Sequence, residues 1–150
     1  PEVFTWGGDR WHEQEVPDHA ALPDCDAGLR CQHTPTLSSH LDLARVEATA
    51  GARFSCAIRS DTTVDCWGRN GAAQSGAPVG DAGVNDLGDP VETSTGVLMG
   101  ASSIYVGFEN ACARVGTDLY CWGANDRGQL QSDPPDGGAD ESARAVLVIP

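Results

Sequence analysis

The chain has 150 residues, enough for one ordinary domain, and a formal net charge of −13 from 22 acidic against nine basic residues, every one of them Arg. Such a surface repels phosphate backbones and anionic membranes, which disfavours nucleic-acid binding, and attracts basic proteins or cations. No segment approaches the ~20 apolar residues of a membrane helix, so membrane insertion is not expected; the longest aliphatic run is residues 145–149.

Eighteen Gly and nine Pro, with almost no helix-period pattern, point to β structure joined by many loops. The chain starts at Pro1 without a signal-like stretch, which fits a processed mature chain or a piece of a longer one. Residues 1–16 read as the end of a repeat: a strand up to Trp6, then Gly7-Gly8 and a polar loop with Trp11 and His12. Residues 17–43 read as a decorated insertion rich in Pro, Asp and His, without a clean period, closed by Cys25 and Cys31. His19, His33 and His40 lie in it near Asp18 and Asp24, but no pair has the spacing that predicts convergence on a metal. A surface loop is the favoured reading, and it is a place where specificity can live.

Residues 44–89 read as a repeat that starts with a short inner strand and ends in a polar loop containing Asp81, Asp86 and Asp89. Residues 90–143 form a second such unit, ending in a loop with Asp133, Asp136, Asp140 and Glu141. Their dense oxygen ligands make calcium conceivable, but neither loop has an EF-hand pattern, and solvated acidic loops are the favoured reading. Residues 144–150 are expected to be the first strand of a following blade, or of one exchanged with another copy.

The two units share one stretch. Gly51 precedes Cys56-Ala and then Cys66-Trp67-Gly68-Arg-Asn70, with Gln74 seven residues beyond the Trp. Gly107 precedes Cys112-Ala and then Cys121-Trp122-Gly123-Ala-Asn125, with Gln129 at the same distance. A weaker copy opens the chain at Phe4-Thr5-Trp6-Gly7, where Thr5 stands for the Cys, Asp9 for the Asn and Glu13 for the Gln. The period, about 55–60 residues, belongs to propellers and solenoids.

Counting within each stretch predicts a hairpin. A two-residue turn at Gly116-Thr117, with Gly first, pairs Val115 with Asp118. Counting outward sets Cys112 against Cys121 at a non-hydrogen-bonded site, where Cα atoms stand ~4.5 Å apart. A three-residue turn at 60–62 sets Cys56 against Cys66 in the same class of site. Both therefore read as cross-strand disulfides, and with Cys25–Cys31 they imply an oxidising compartment; the alternative, buried free thiols, needs a reducing one. Alternation turns Trp67 and Trp122 away from the cysteines, and wedging between blades is the favoured role, with a ligand platform as the alternative. Gly68 and Gly123 suggest a bend or a close backbone approach, and Asn70 and Asn125 are expected to bond turn backbone.

With these residues in hand, the sequence resembles the regulator-of-chromosome-condensation repeat family, best over residues 121–130. The resemblance covers 51–76 and 107–130 strongly, 1–16 in part, and 17–43 and the acidic loops not at all. It implies β-propeller blades, each a four-stranded antiparallel sheet: two full repeats plus partial ones, which do not close a ring alone. The Cys-pair form resembles the bacterial secreted or surface-anchored branch, implying an extracellular, cell-surface or periplasmic protein. The family's nucleotide-exchange activity does not carry over to an acidic, disulfide-bonded chain with no matching exchange wedge. No Ser/His/Asp order, P-loop, H-E-x-x-H or paired-carboxylate motif occurs, so the expectation is a non-enzymatic interaction module without cofactor, its loops binding a protein partner. The alternative is a structural subunit of an extracellular ring or filament, held by strand exchange between copies.

Overall fold

The computed structural model describes residues 4–8, 22–26, 29–37, 45–76, 91–92, 99–130 and 141–149. These residues are all-β, in three antiparallel sheets. The first contains β1 (Phe4–Gly8), β2 (Asp24–Asp26) and β3 (Leu29–Leu37) in the order β1-β3-β2. The second runs β4 (Arg45–Ala50), β5 (Phe54–Arg59), β6 (Val64–Gly68) and β7 (Val91–Glu92). The third runs β8 (Ala101–Val106), β9 (Asn110–Val115), β10 (Asp118–Ala124) and β11 (Glu141–Ile149). The described sheets do not close a ring.

Each hairpin forms where its turn residues allow. Gly116 adopts φ +62°, and Val115 pairs with Asp118, which fixes Leu119 against Arg114 and Cys121 against Cys112. In the second sheet Thr62 takes φ +71°. The Arg59 N–H donates to Thr63 O at 2.8 Å, and Cys56 then faces Cys66. The missing glycine at Thr62 is offset by side chains: Asp61 accepts from the Thr63 N–H at 3.0 Å and from its hydroxyl at 2.6 Å.

Two segments depart from the sequence reading. The sequence reads residues 17–43 as an insertion, yet β2 and β3 fall there and β3 pairs along β1, Phe4 against Leu37 and Thr5 against Thr36. The segment Arg-Cys-Gln-His-Thr-Pro-Thr is polar at both alternating sets of positions, so no hydrophobic period of two marks it as a strand. The sequence places residues 144–150 in a following or exchanged blade, but β11 lies beside β10 of its own sheet, with Val146 against Cys121. An outer strand carries the same apolar signature whichever blade it completes. Glu141 begins β11; the other residues of the acidic loops, His19 and His40 lie outside the described residues.

The core lies between the second and third sheets. Phe54, Cys56, Ile58, Val64 and Cys66 from β5 and β6 pack against Ala101, Ile104, Ala111, Ala113 and Trp122 from β8, β9 and β10. All ten are 4% exposed or less. Burying a tryptophan removes on the order of 200 Å² from water, a few kcal/mol.

Candidate functional site

The repeated residues build one kind of joint. Cys56 and Cys66 are bonded on the face of the second sheet that meets the third, with Cα atoms 4.1 Å apart. Trp122 comes from the opposite sheet, and its indole N–H donates to the Gln74 main-chain oxygen at 3.0 Å, both groups buried. Trp67 is 2% exposed and packs with Ala57 on the other face of the second sheet. Trp122 therefore faces the sheet before its own, and the Cys56–Cys66 disulfide the sheet after its own. Cys112 and Cys121 are bonded with Cα atoms 4.0 Å apart, and Cys25 and Cys31 with Cα atoms 5.9 Å apart.

The turns behind each Trp are alike. Asn70 Oδ1 accepts the Ser75 N–H at 2.9 Å, and Asn125 Oδ1 accepts the Leu130 N–H at 2.9 Å. Gln74 Oε1 accepts the Ala72 N–H at 2.7 Å, and Gln129 Oε1 accepts the Arg127 N–H at 2.8 Å. A side-chain acceptor aimed at nearby backbone is how Asn and Gln hold such turns. Gly128 sits at φ +69°, and Ala73, its counterpart, at φ +55°, so the first turn keeps its shape without the glycine.

Gly68 and Gly123 mark close approaches. Their φ values are +104° and +102°. A Cβ at Gly68 would lie 2.6 Å from Arg53 O, and one at Gly123 would lie 2.5 Å from Glu109 O. Gly7, after Trp6, shares the conformation at φ +112°. Gly51 leaves no space either: its Cβ would meet the Gly107 oxygen of the next sheet. Gly107 in turn is pressed against the Asn110 side chain.

Polar contacts also cross between the second and third sheets. Arg69 Nη1 pairs with Glu109 Oε1 at 2.6 Å. Thr62 O accepts the Ala101 N–H at 3.1 Å, its hydroxyl accepts the Gly100 N–H at 2.9 Å, and Glu47 Oε1 accepts the Ile104 N–H at 3.3 Å. Within the second sheet, Arg59 Nε reaches the 1%-exposed Asp65 carboxylate at 2.5 Å. Asp61 is held below the usual carboxylate range, chiefly by the Thr63 hydroxyl. Asp126 is lowered too, chiefly by the Gln129 amide.

A cavity of about 420 Å³ opens between the first two sheets, lined by Phe4 and Trp6 of β1 and by Ala48, Ala50, Ser55 and Trp67 of the second sheet. Sequence reasoning missed it, because it depends on which strands flank β1. Among the described residues, no three His, Cys, Asp or Glu side chains gather as metal ligands would.

Sheets joined by a Trp on one side and a cysteine pair on the other define a repeat protein of the propeller type. Residues 46–74 match the family described as "Regulator of chromosome condensation (RCC1) repeat". Its fold is similar to that of yeast RCC1 (Prp20) in complex with Kap60, with TM-score 0.71 and 21% identity, over 97% of this chain and 31% of that one. Prp20p from Saccharomyces cerevisiae, in a structure whose description adds its binding properties to Gsp1p and histones, gives TM-score 0.69 and 22% identity over 97% and 32%. Human WBSCR16 gives 0.71 and 14% over 99% and 35%. The chain thus spans about a third of the length of the structures it matches. No curated protein matches it in sequence.

Proposed function

We propose that the chain is a secreted, non-enzymatic protein-interaction module, binding its partner through the loops that join the blades. One observation carries this reading. The residues that recur between copies are consumed in packing and turns: Trp122 on Gln74, Cys56 on Cys66, and Asn70 and Asn125 on their turn amides. What differs between copies is the loops, and a rigid scaffold with variable loops is a common way to present a binding surface. The net charge of −13 favours a partner with a basic face and speeds its encounter at low salt. Binding of Kap60, Gsp1p and histones by the yeast protein supports the use of such a scaffold for protein contacts.

Three cysteine pairs at bonding distance support an oxidising compartment: extracellular, cell-surface or periplasmic. The test is to replace residues 77–90 and 131–140 with Gly/Ser linkers and compare partner capture on the intact and replaced chains. Loss of the captured protein is expected, with the disulfides and the melting temperature retained. Undiminished capture by the replaced chain would overturn the reading.

A further inference from the structure

The Cys56–Cys66 pair sits where two sheets meet. Both residues are 0% exposed. They share one core cluster with Phe54, Ile58 and Val64 of their own sheet and with Ala111, Ala113 and Trp122 of the next, all of them described residues. Thiol–disulfide exchange proceeds through a mixed disulfide, so a third sulfur must reach the pair. With the second and third sheets packed, no outside sulfur does. The bond therefore has to form while this face of the second sheet is uncovered.

The second sheet aligns the two cysteines without help from the third. The turn between them is held within residues 59–63. The Arg59 N–H donates to Thr63 O at 2.8 Å, the Thr62 N–H donates to Arg59 O at 2.9 Å, and Asp61 accepts from the Thr63 N–H and hydroxyl. Counting from that turn puts Cys56 opposite Cys66, ten residues away in sequence. So short a hairpin closes in microseconds, against seconds or longer for disulfide chemistry. The register is ready well before the bond forms. Two separate thiols need more room than one bonded pair, and a close-packed joint offers none. Overpacking such a joint and losing its cross-link each shift an equilibrium by roughly tenfold or more.

We propose that Cys56–Cys66 is a redox lock on this joint, closed by a thiol–disulfide oxidoreductase that acts on the second sheet before the third packs over it. One thiolate of the pair attacks the oxidised cysteine pair of the enzyme, forming a mixed disulfide and releasing one enzyme thiolate. The other thiolate then displaces the second enzyme sulfur and closes the Cys56–Cys66 bond. The chain gives up two electrons and two protons, and the enzyme leaves as a dithiol. Packing of Trp122 seals the bond, so the chain accepts oxidation before assembly and resists reduction after it. The face the enzyme meets is apolar, with Phe54, Ile58 and Val64 beside the thiols. The lock does not depend on what the inter-blade loops bind.

The test refolds the full chain from its reduced, unfolded state. Hydrogen exchange of the Trp122 indole N–H, buried against Gln74 O, reports the packed joint. Held in excess reductant, the chain exchanges this proton about a hundredfold faster than the oxidised chain does. An oxidised dithiol oxidoreductase is then added, and samples are alkylated at intervals and mapped by mass. Cys56 and Cys66 close first, and protection of the indole follows. Cys56→Ala/Cys66→Ala makes the indole indifferent to reductant, whereas Cys112→Ala/Cys121→Ala leaves the response in place. Protection of the indole in the fully reduced chain overturns the proposal. So does protection that precedes closure of the pair, or a redox response that follows Cys112–Cys121 instead.

Discussion

Trp122 donates its indole proton to the main-chain oxygen of Gln74, 48 residues earlier and in the neighbouring sheet. The bond and the ring's burial bind two blades together in one side chain. Trp122→Phe keeps most of the buried ring but leaves the Gln74 oxygen without its donor, at a cost of ~1–3 kcal/mol. Trp122→Ala also opens a cavity and costs ~3–5 kcal/mol. Urea unfolding of the oxidised chain ranks the two. Equal losses would mean that the indole bond contributes nothing.

The glycines separate into two kinds. At Gly123 a Cβ meets Glu109 O at 2.5 Å and Asn110 Cα at 2.8 Å, while at Gly128, with φ +69°, it meets nothing within 4 Å. Gly128→Ala therefore costs only the left-handed backbone penalty, ~1–2 kcal/mol. Gly123→Ala adds a clash with backbone that cannot move without breaking the joint, and its melting temperature falls further. Gly68→Ala follows Gly123→Ala, since Arg53 O stands at 2.6 Å.

Exposure orders the disulfides. Cys25 is exposed, Cys112 is partly buried, and Cys56 and Cys66 are fully buried. Under limited reductant with timed alkylation and mass analysis, Cys25–Cys31 opens first, Cys112–Cys121 second and Cys56–Cys66 last. Loss of Cys56–Cys66 costs ~2–4 kcal/mol, and its resistance requires that the second and third sheets stay packed while the others are reduced.

Two ion pairs differ in kind. Arg69 and Glu109 are 30% and 32% exposed, and a double-mutant cycle gives ~0.2–1 kcal/mol, falling as salt rises. Arg59 faces Asp65, which is 1% exposed. Arg59→Met withdraws the guanidinium from a buried carboxylate and costs ~3–5 kcal/mol. An equal effect at the two sites would contradict the burial of Asp65.

Asp61 and Asp126 accept hydrogen bonds that favour their charged forms. Their folded pKa values lie below the ordinary ~3.9 of the unfolded chain. What they add to stability is thus present above that value and is lost as pH falls through the lower, folded values. Carboxyl chemical shifts in an acid titration should place both midpoints below those of ordinary surface aspartates. Thr63→Val should move Asp61 back upward, and Gln129→Ala should do the same for Asp126.

The hairpins were legible because their turn lengths carry the register: Gly116-Thr117 allows one pairing, and counting from it reaches Cys112 opposite Cys121. The propeller class was legible for the same reason, the motif recurring with constant internal spacing. The outer strand β3 was not, since a strand polar on both faces has no hydrophobic signature. Nor was the direction of the joint. Both faces of β6 are buried, so alternation separates Trp67 from Cys66 but does not say which one meets the preceding sheet. The cavity beside β1 was invisible for a further reason, as it depends on neighbours that a local pattern does not encode. Ala73 shows the reverse case. The glycine is lost from the sequence, yet the turn persists at φ +55° because Asn70 and Gln74 supply its acceptors.

The acceptor for Trp122 is a backbone atom of Gln74 and not its side chain. Mutation can change the residue at that position without erasing the oxygen that the neighbouring tryptophan seeks. The second sheet thus meets the third through a group common to all residues. Tandem duplication of such a segment yields a newcomer already compatible with the array, and drift can then reshape its connecting segments while the seam stays intact. Growth by copying, followed by divergence in the parts that do not touch the seam, is the evolutionary history to which such an attachment lends itself.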